Sequence, residues 1–154
     1  MARSLLGLKT LEMKVNDYKM KLLTNDPGIS RSLVLFGTRE NDKKFILEQT
    51  IKEGMKVFDI GANIGYYALN AARLGAQKVI AIEPNPTIIS RLNANIALNN
   101  LSSKIAVHDV AVGTRTGVAN LTIASKDFGS SSMVDHSVGK HHISVPIMPL
   151  FEIL

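Results

Sequence analysis

Hydrophobic and polar residues alternate in the first part of the chain and gather into short apolar runs further on. Between Leu11 and Leu23 nearly every second residue is apolar, except where Asn16-Asp17 interrupts the pattern. Alternation with a period of two on both sides of a polar pair predicts a β-hairpin. A polar turn is expected at residues 25–28, and a short strand or helical turn at residues 32–36.

Two apolar runs predict the central strands of a parallel sheet. Residues 57–60 and 78–82 are dominated by apolar side chains, as in strands that are covered on both faces. The segment between them has helical spacing from about residue 64 to residue 74, and Gly75 ends that helix. The order strand, helix, strand is that of a βαβ unit with parallel strands.

Two further helices are predicted from their starting residues. Asn41 or Asp42 is expected to cap a helix that carries Phe45 and Ile46 and ends at Gly54.

The second of these helices begins at Asn85-Pro86, because Asn is a favoured N-cap and Pro fits the first helical position. Its apolar stripe consists of Ile88, Ile89, Leu92 and Ile96. Three asparagines of the same helix are interpreted as exposed surface residues: Asn93, Asn95 and Asn99.

A third strand is expected at residues 105–107, with Asp109 at its end. No helical pattern follows it. Residues 117–124 and 143–147 instead alternate as the two strands of an added β-hairpin. The sequence therefore predicts the α/β class with a Rossmann-like sheet, divided into a hairpin extension (1–40) and a cofactor-binding domain (41–154).

The turn after the first parallel strand carries the candidate chemistry. It reads Asp59-x-Gly61-x-Asn63-x-Gly65. A dinucleotide site needs a glycine where Asn63 stands, so that the backbone can approach a pyrophosphate. S-adenosylmethionine has an adenosine and an amino-acid tail but no phosphate, so this turn predicts S-adenosylmethionine as the cofactor. Gly61 and Asn63 suit positive φ, Gly65 lets the new helix pack close to the sheet, and the Asp59 carboxylate can face the cofactor's ammonium end.

Glu83 ends the neighbouring strand, about 20 residues beyond the glycine turn. An acid at this place can accept hydrogen bonds from both ribose hydroxyls. Each feature also has an ordinary explanation, a tight turn for the glycines and helix capping for Asp59. Their combination favours a nucleoside site.

These residues resemble the FkbM family of S-adenosylmethionine-dependent methyltransferases. The matching stretches are FDIGANIGYYALNAA (58–72), AIEPNP (81–86), LNANIALNN (92–100) and AVG (111–113). The resemblance covers roughly residues 40 to 150. It implies the class I methyltransferase fold and O-methylation of a hydroxyl on a sugar or small metabolite. It also implies that Asp109 binds the adenine amino group, for which a simple turn acid is the alternative.

The chain stops before the Lys-x-Asp-x-Glu-Gly segment that the family would place next. We therefore expect a fragment or a protein completed by another copy, with self-association and little activity by itself. The first parallel strand, at residues 57–60, would then lose its neighbour on one side and leave an unpaired edge. The catalytic base is not identified by the sequence.

Two other functions stay open. Residues 81–100 also resemble tRNA guanine methyltransferases, and a cofactor-binding module without activity is the third possibility.

Net charge is +5, and residues 1–56 hold 11 of the 18 basic residues against 7 of the 13 acidic ones. A basic front can attract RNA. Because its lysines alternate with apolar residues, a solvated face is the favoured interpretation, with nucleic acid as the less favoured partner.

Composition narrows the remaining classes. There is no cysteine, which fits a reducing compartment and a cytoplasmic location. No apolar run is long enough to span a membrane, so no membrane partner is expected. Asp135, His136, His141 and His142 are interpreted as a solvated loop, and no metal site is predicted.

Overall fold

The computed structural model describes residues 9–26, 28–123, 131–132 and 141–153. Its elements in chain order are β1 (Thr10–Val15), β2 (Tyr18–Leu23), α1 (Ile29–Phe36), α2 (Asn41–Thr50), β3 (Lys56–Ile60), α3 (Tyr66–Arg73), β4 (Lys78–Ile82), α4 (Pro86–Leu98), β5 (Ile105–His108), β6 (Ala111–Val112), β7 (Gly117–Ile123), β8 (Ser131–Ser132), β9 (His141–Met148) and α5 (Leu150–Ile153).

The first two strands form the predicted β-hairpin. β1 and β2 are antiparallel, with Val15 opposite Tyr18 across the turn, where Asn16 has a φ of 50°. The apolar side chains of β2 point inward, and Met20 is fully buried. They join the same hydrophobic core as Leu92 of α4. The hairpin is therefore seated on the domain that follows it, while the division of the chain at residue 40 stays a prediction.

The central sheet has the strand order β3-β4-β5, with all three strands parallel. Helix α3 connects β3 to β4, and α4 connects β4 to β5, as the βαβ pattern predicts. Ile60, Ile82 and His108 are in register, so the three strands end at the same edge of the sheet. Open α/β sheets bind ligands at this carboxyl edge. The predicted Rossmann-like α/β fold is confirmed.

The prediction that the first parallel strand is covered on both faces is wrong. Ile82 of β4 is buried beneath Val110 and Ile153. Its register partner Ile60 lies on the same face and is 53% exposed. Among the described residues β3 pairs only with β4, so β3 is the edge strand of the sheet. Val110 and Ile153 cover this face at β4 but leave it exposed at β3.

The added β-hairpin is confirmed, within a four-stranded sheet of order β6-β9-β7-β8. β7 and β9 are antiparallel, with Gly117 opposite Ile147. The connecting residues 124–130 and 133–140 lie outside the described part, and with them Asp135 and His136 of the predicted solvated loop.

The helices near the N-terminus differ from their predictions in detail. Residues 32–36 belong to helix α1, the helical one of the two alternatives. Helix α2 ends at Thr50 rather than at Gly54, and its N-cap is Glu40 in the left-handed conformation. The prediction of an Asn41 or Asp42 cap is therefore wrong. No helix within the described ranges is long and apolar enough to cross a membrane.

Candidate cofactor site

Three of the predicted site residues follow directly after the aligned strand ends. Gly61 follows β3, Glu83 follows β4, and Asp109 follows β5. The Glu83 backbone N–H donates to the carbonyl of His108 at 3.1 Å, which holds the ends of β4 and β5 together. Glu83 is buried at 6% exposure, whereas Asp109 is exposed. The fold thus brings the glycine turn and both acids to one edge.

The turn has the backbone conformations that its sequence predicts. Gly61 has a φ of 78°, Asn63 of 51° and Gly65 of 95°. A Cβ atom on Gly65 would lie 2.7 Å from Cδ1 of Leu92, too close for any real side chain. The close approach is to helix α4, however, and not to the sheet as predicted. Gly65 is therefore required both by its φ and by its neighbour.

Glu83 binds the turn through its side chain. Its Oε2 accepts from the Asn63 N–H at 3.0 Å, and its Oε1 accepts from the Asn85 N–H at 3.0 Å. Burial raises the pKa of Glu83, and these two backbone hydrogen bonds oppose the rise. Because each carboxylate oxygen has two acceptor positions, both oxygens keep one for a ligand.

Asp59 points a carboxylate into the body of the domain. Burial raises its pKa to about 6; the backbone N–H of Ala68 in the first turn of α3 works against the rise, and the charge of Glu83 adds to it. Its Oδ2 is buried and has no hydrogen-bond partner within the described part of the chain. Asp59 is therefore influenced by the first turn of α3 and has an unsatisfied buried oxygen, but it is not the N-cap of that helix, which is Gly65. An unsatisfied buried acceptor is costly and calls for an explanation.

A groove of about 290 Å³ is lined by residues of α2, β3 and α3, among them Asp59. Its walls are mostly apolar, with Lys43 and Tyr67 at polar positions. The Tyr67 hydroxyl donates to the Glu40 carboxylate, and Lys43 Nζ donates to the same carboxylate at 2.7 Å. The hydrogen bond from Lys43, followed by that from Tyr67, lowers the pKa of Glu40 to about 2. These contacts join the starts of α2 and α3, a connection that the sequence did not predict.

The interpretation of all three asparagines of α4 as exposed is wrong for Asn95. Asn93 is exposed and Asn99 is half-buried, but Asn95 has no exposed surface. A signal was present in the sequence, because Ile88, Leu92 and Asn95 are spaced i, i+4 and i+7 on one face. The helix start is as predicted, since the Asn85 side chain accepts from the N–H of Thr87 at 3.0 Å.

The prediction of a solvated loop is wrong for two of its four residues, because His141 and His142 belong to strand β9. Nδ1 of His142 lies 3.1 Å from the hydroxyl of Thr122. Within the described ranges no group of three or more histidine, cysteine, aspartate or glutamate side chains has the arrangement of a metal site.

Comparison with known proteins gives one family. The sequence model of the TRM5/TYW2 methyltransferase domain matches residues 28–139. A protein named "Ribosomal protein L11 methyltransferase" from Desulfitobacterium hafniense is 34% identical over 109 residues, which cover 68% of this chain and 33% of that protein. The protein of the same name from Clostridium perfringens strain 13 is 28% identical over 104 residues, 65% of this chain and 32% of that protein. The chain thus spans about a third of the length of these curated relatives.

Solved structures share the fold. TYW2 of P. horikoshii, determined in complex with MeSAdo, has a TM-score of 0.53 at 24% identity, covering 71% of this chain and 45% of that one. The structure of aTrm5 with tRNALeu has a TM-score of 0.52 at 20% identity, covering 74% of this chain and 40% of that one. At these identities the likeness supports the fold alone.

The predicted enzyme class and its cofactor, S-adenosylmethionine, are confirmed at the level of the family, but the family is not the predicted one. The D-x-G-x-N-x-G turn and the acid-Pro-Asn turn that suggested FkbM both lie within the residues that the TRM5/TYW2 model matches, so they do not distinguish the two families. Since the matched model covers most of the chain, this protein belongs to the TRM5/TYW2 methyltransferase domain family.

Proposed function

We propose that this chain is the cofactor-binding part of an S-adenosylmethionine-dependent methyltransferase that acts on RNA. The observation that carries the proposal is the family match over residues 28–139. A neighbour in fold was determined with tRNA, which agrees with an RNA acceptor. This replaces methyl transfer to a small hydroxyl acceptor as the favoured function, because none of the relatives reported above is named for such an acceptor.

The strand-end residues fit the cofactor. Glu83 would accept from the ribose hydroxyls with its remaining lone pairs, and Asp109 from the adenine amino group. The buried Oδ2 of Asp59 is suited to a cationic or hydrogen-bonding partner at the amino-acid end of the cofactor. S-adenosylmethionine itself supplies the activated methyl group, and the protein aligns an acceptor with it.

The exposed face of the hairpin fits an RNA backbone. Lys14 and Lys19 are exposed and lie directly opposite each other in the β1–β2 register. Like charges directly opposite each other destabilise a hairpin, so a partner of opposite charge would relieve the repulsion. Arg73 lines the same concave surface. The one described ion pair here joins Lys19 to Glu12 at 3.7 Å between exposed side chains, and such pairs contribute little.

Cofactor binding is tested by titration calorimetry with S-adenosylhomocysteine and with NAD. We expect binding of the first and none of the second. Glu83→Gln should weaken binding by about 1–3 kcal/mol, because one acceptor oxygen becomes a donor facing the turn. Glu53→Gln, the same change at an exposed glutamate before β3, is the matched control. NAD binding tighter than that of S-adenosylhomocysteine would refute the cofactor assignment.

The RNA surface is tested by the salt dependence of tRNA binding. The double variant Lys14→Gln, Lys19→Gln should bind more weakly and lower the slope of log K against log salt by about 2, if each lysine neutralises one phosphate. The double variant Lys52→Gln, Lys56→Gln removes the same charge from other exposed positions and serves as the control. Equal losses in both variants would mean that only net charge matters.

A protein acceptor is the second candidate function, favoured by the 34% identical relative named for ribosomal protein L11. A methyl-transfer assay with labelled S-adenosylmethionine, offered total tRNA, ribosomal protein and small hydroxyl compounds separately, distinguishes the acceptors. Because the chain is expected to have little activity by itself, the result is the distribution of label among the acceptors, and we expect the tRNA to receive more of it than the other two. Label in the ribosomal protein alone would support the second candidate instead.

A further inference from the structure

Helix α4 reaches the cofactor turn with one fully buried amide. The Nδ2 of Asn95 donates to the carbonyl of Ile64 at 2.9 Å, and its Oδ1 accepts from the backbone N–H of Lys21 at 2.8 Å. Asn95 is 0% exposed. One side chain therefore joins the turn between β3 and α3 to the outer edge of strand β2.

The turn that Asn95 binds is not held by local geometry alone. Asn63 has a φ of 51°, a left-handed conformation that Asn tolerates better than most side chains but that still needs support from its surroundings. On one side of residues 63–64 the Asn63 N–H is bound by Glu83 at 3.0 Å. On the other side the Ile64 carbonyl is bound by Asn95. Residues 63–64 are thus held by hydrogen bonds to the Glu83 carboxylate at the end of β4 and to the Asn95 amide of α4.

We propose that Asn95 is a positioning residue for the cofactor: its amide fixes the Ile64 carbonyl and so holds the Gly61–Gly65 turn in the conformation that S-adenosylmethionine binds. The inference rests on the proposed cofactor site. It predicts that loss of the Asn95 donor weakens cofactor binding even though Asn95 does not touch the cofactor. Binding then requires the turn to be reordered, and the free energy of reordering is subtracted from the affinity.

A purely structural role for Asn95 is the competing explanation, and Asn99 separates the two. Asn99 lies one turn further along α4 and makes the same kind of contact with the hairpin. Its Oδ1 accepts from the Lys19 N–H at 2.9 Å, and its Nδ2 donates to the Lys19 carbonyl at 2.7 Å. None of its described hydrogen bonds reaches the cofactor turn. Both asparagines cover the β2 edge, but only Asn95 also binds the turn.

The experiment compares Asn95→Asp with Asn99→Asp. Each change keeps the acceptor for a strand N–H and removes the amide donor. Thermal melts followed by circular dichroism establish that both variants are folded at the assay temperature, and calorimetry then gives their affinity for S-adenosylhomocysteine. We expect Asn95→Asp to bind about tenfold more weakly than wild type and Asn99→Asp to stay within about twofold. Equal affinities in the two variants overturn the proposal.

A buried aspartate can prevent folding, so Asn95→Ala and Asn99→Ala form a second pair without a buried charge. If neither Asn95 variant folds, amide exchange in the wild-type chain decides. S-adenosylhomocysteine should then protect the Asn95 side-chain amide and leave that of Asn99 unchanged; equal protection overturns the proposal. Failure of the cofactor assignment gives a different result. The wild-type chain would show no binding, while exchange at residues 63–65 would still rise in Asn95→Ala and not in Asn99→Ala.

Discussion

Replacing Asp59 by Asn should remove the loss of folding stability that wild type shows as pH rises from about 4 to about 6. Burial raises the pKa of Asp59 from its ordinary value of 3.8 to about 6. The folded chain therefore holds a proton on Asp59 between these two values, while the unfolded chain has released it. The stability that this proton contributes is fully present below pH 3.8 and is lost as pH rises through about 6.

The magnitude follows from the size of the pKa change. A tenfold change in an ionisation constant corresponds to about 1.4 kcal/mol, so the rise from 3.8 to about 6 corresponds to about 3 kcal/mol of unfolding free energy. Asn keeps an acceptor for the Ala68 N–H but introduces an amide donor at the buried Oδ2 position, which costs about 1–3 kcal/mol if unsatisfied. That cost does not depend on pH. The difference in stability between variant and wild type should therefore shift in favour of the variant by about 2 kcal/mol from pH 4 to pH 7, because the rest of the change of about 3 kcal/mol falls below pH 4.

The assay is urea unfolding at closely spaced pH values, with S-adenosylhomocysteine affinity measured on the same samples. Asp42→Asn removes an exposed carboxylate and controls for the change in net charge. Asp59→Asn should also bind the cofactor more weakly, because it loses the charge proposed to face the ammonium end. A stability difference that stays constant from pH 4 to pH 7 would refute the reasoning, since Asp59 would then ionise as an exposed acid does.

The remaining predictions concern the glycine turn and the free sheet edge. Gly65→Ala should destabilise the fold more than Gly61→Ala in urea unfolding, because both have positive φ but only Gly65 is in contact with Leu92, whereas nothing lies within 4 Å of a Cβ on Gly61; equal losses would show that backbone strain alone matters. Light scattering after size exclusion should show that the chain self-associates, because Ile60 is on the open face of the edge strand β3. Ile60→Lys should reduce this association. Val118→Lys should not, because Val118, although 74% exposed, is on another sheet. A monomeric wild type would contradict the second of these.

Much of the fold followed from local signals in the sequence. Strand β4 was predicted at residues 78–82, where it is found, because a run of apolar residues bounded by polar ones has few alternatives. The start of α4 was equally clear, because Asn85 and Pro86 act on their own backbone neighbours. The alternation of lysines and apolar residues in the β1–β2 hairpin and the positive φ of Gly61 and Asn63 were likewise indicated by local sequence. In each case the physical cause lies within a few residues of its effect.

The family of the chain was not decided by those signals. The resemblance to FkbM was centred on the glycine turn and Glu83, which concern the cofactor and carry no information about the methyl acceptor. The match over residues 28–139 gave TRM5/TYW2.

Only the tertiary structure decided which polar residues are surface and which are part of the site. The sequence alone determined the helices and strands, the conformation of the glycine turn and the class of cofactor. Each of these depends on residues that are neighbours in the chain or belong to one short motif. Asn95 and Asn99 have the same chemistry on the same helix, yet one is buried against Ile64 and the other lies at the hairpin, because the partners come from segments 31 and 80 residues away. The exposure of Ile60 likewise depends on distant residues, because Val110 and Ile153 pack on Ile82 of β4 and are not part of a cluster with Ile60. Contacts between distant segments are set by how the elements pack in three dimensions. The spacing of Asn95 indicates that it lies on the buried face of α4, but it does not indicate the partners that Asn95 finds there.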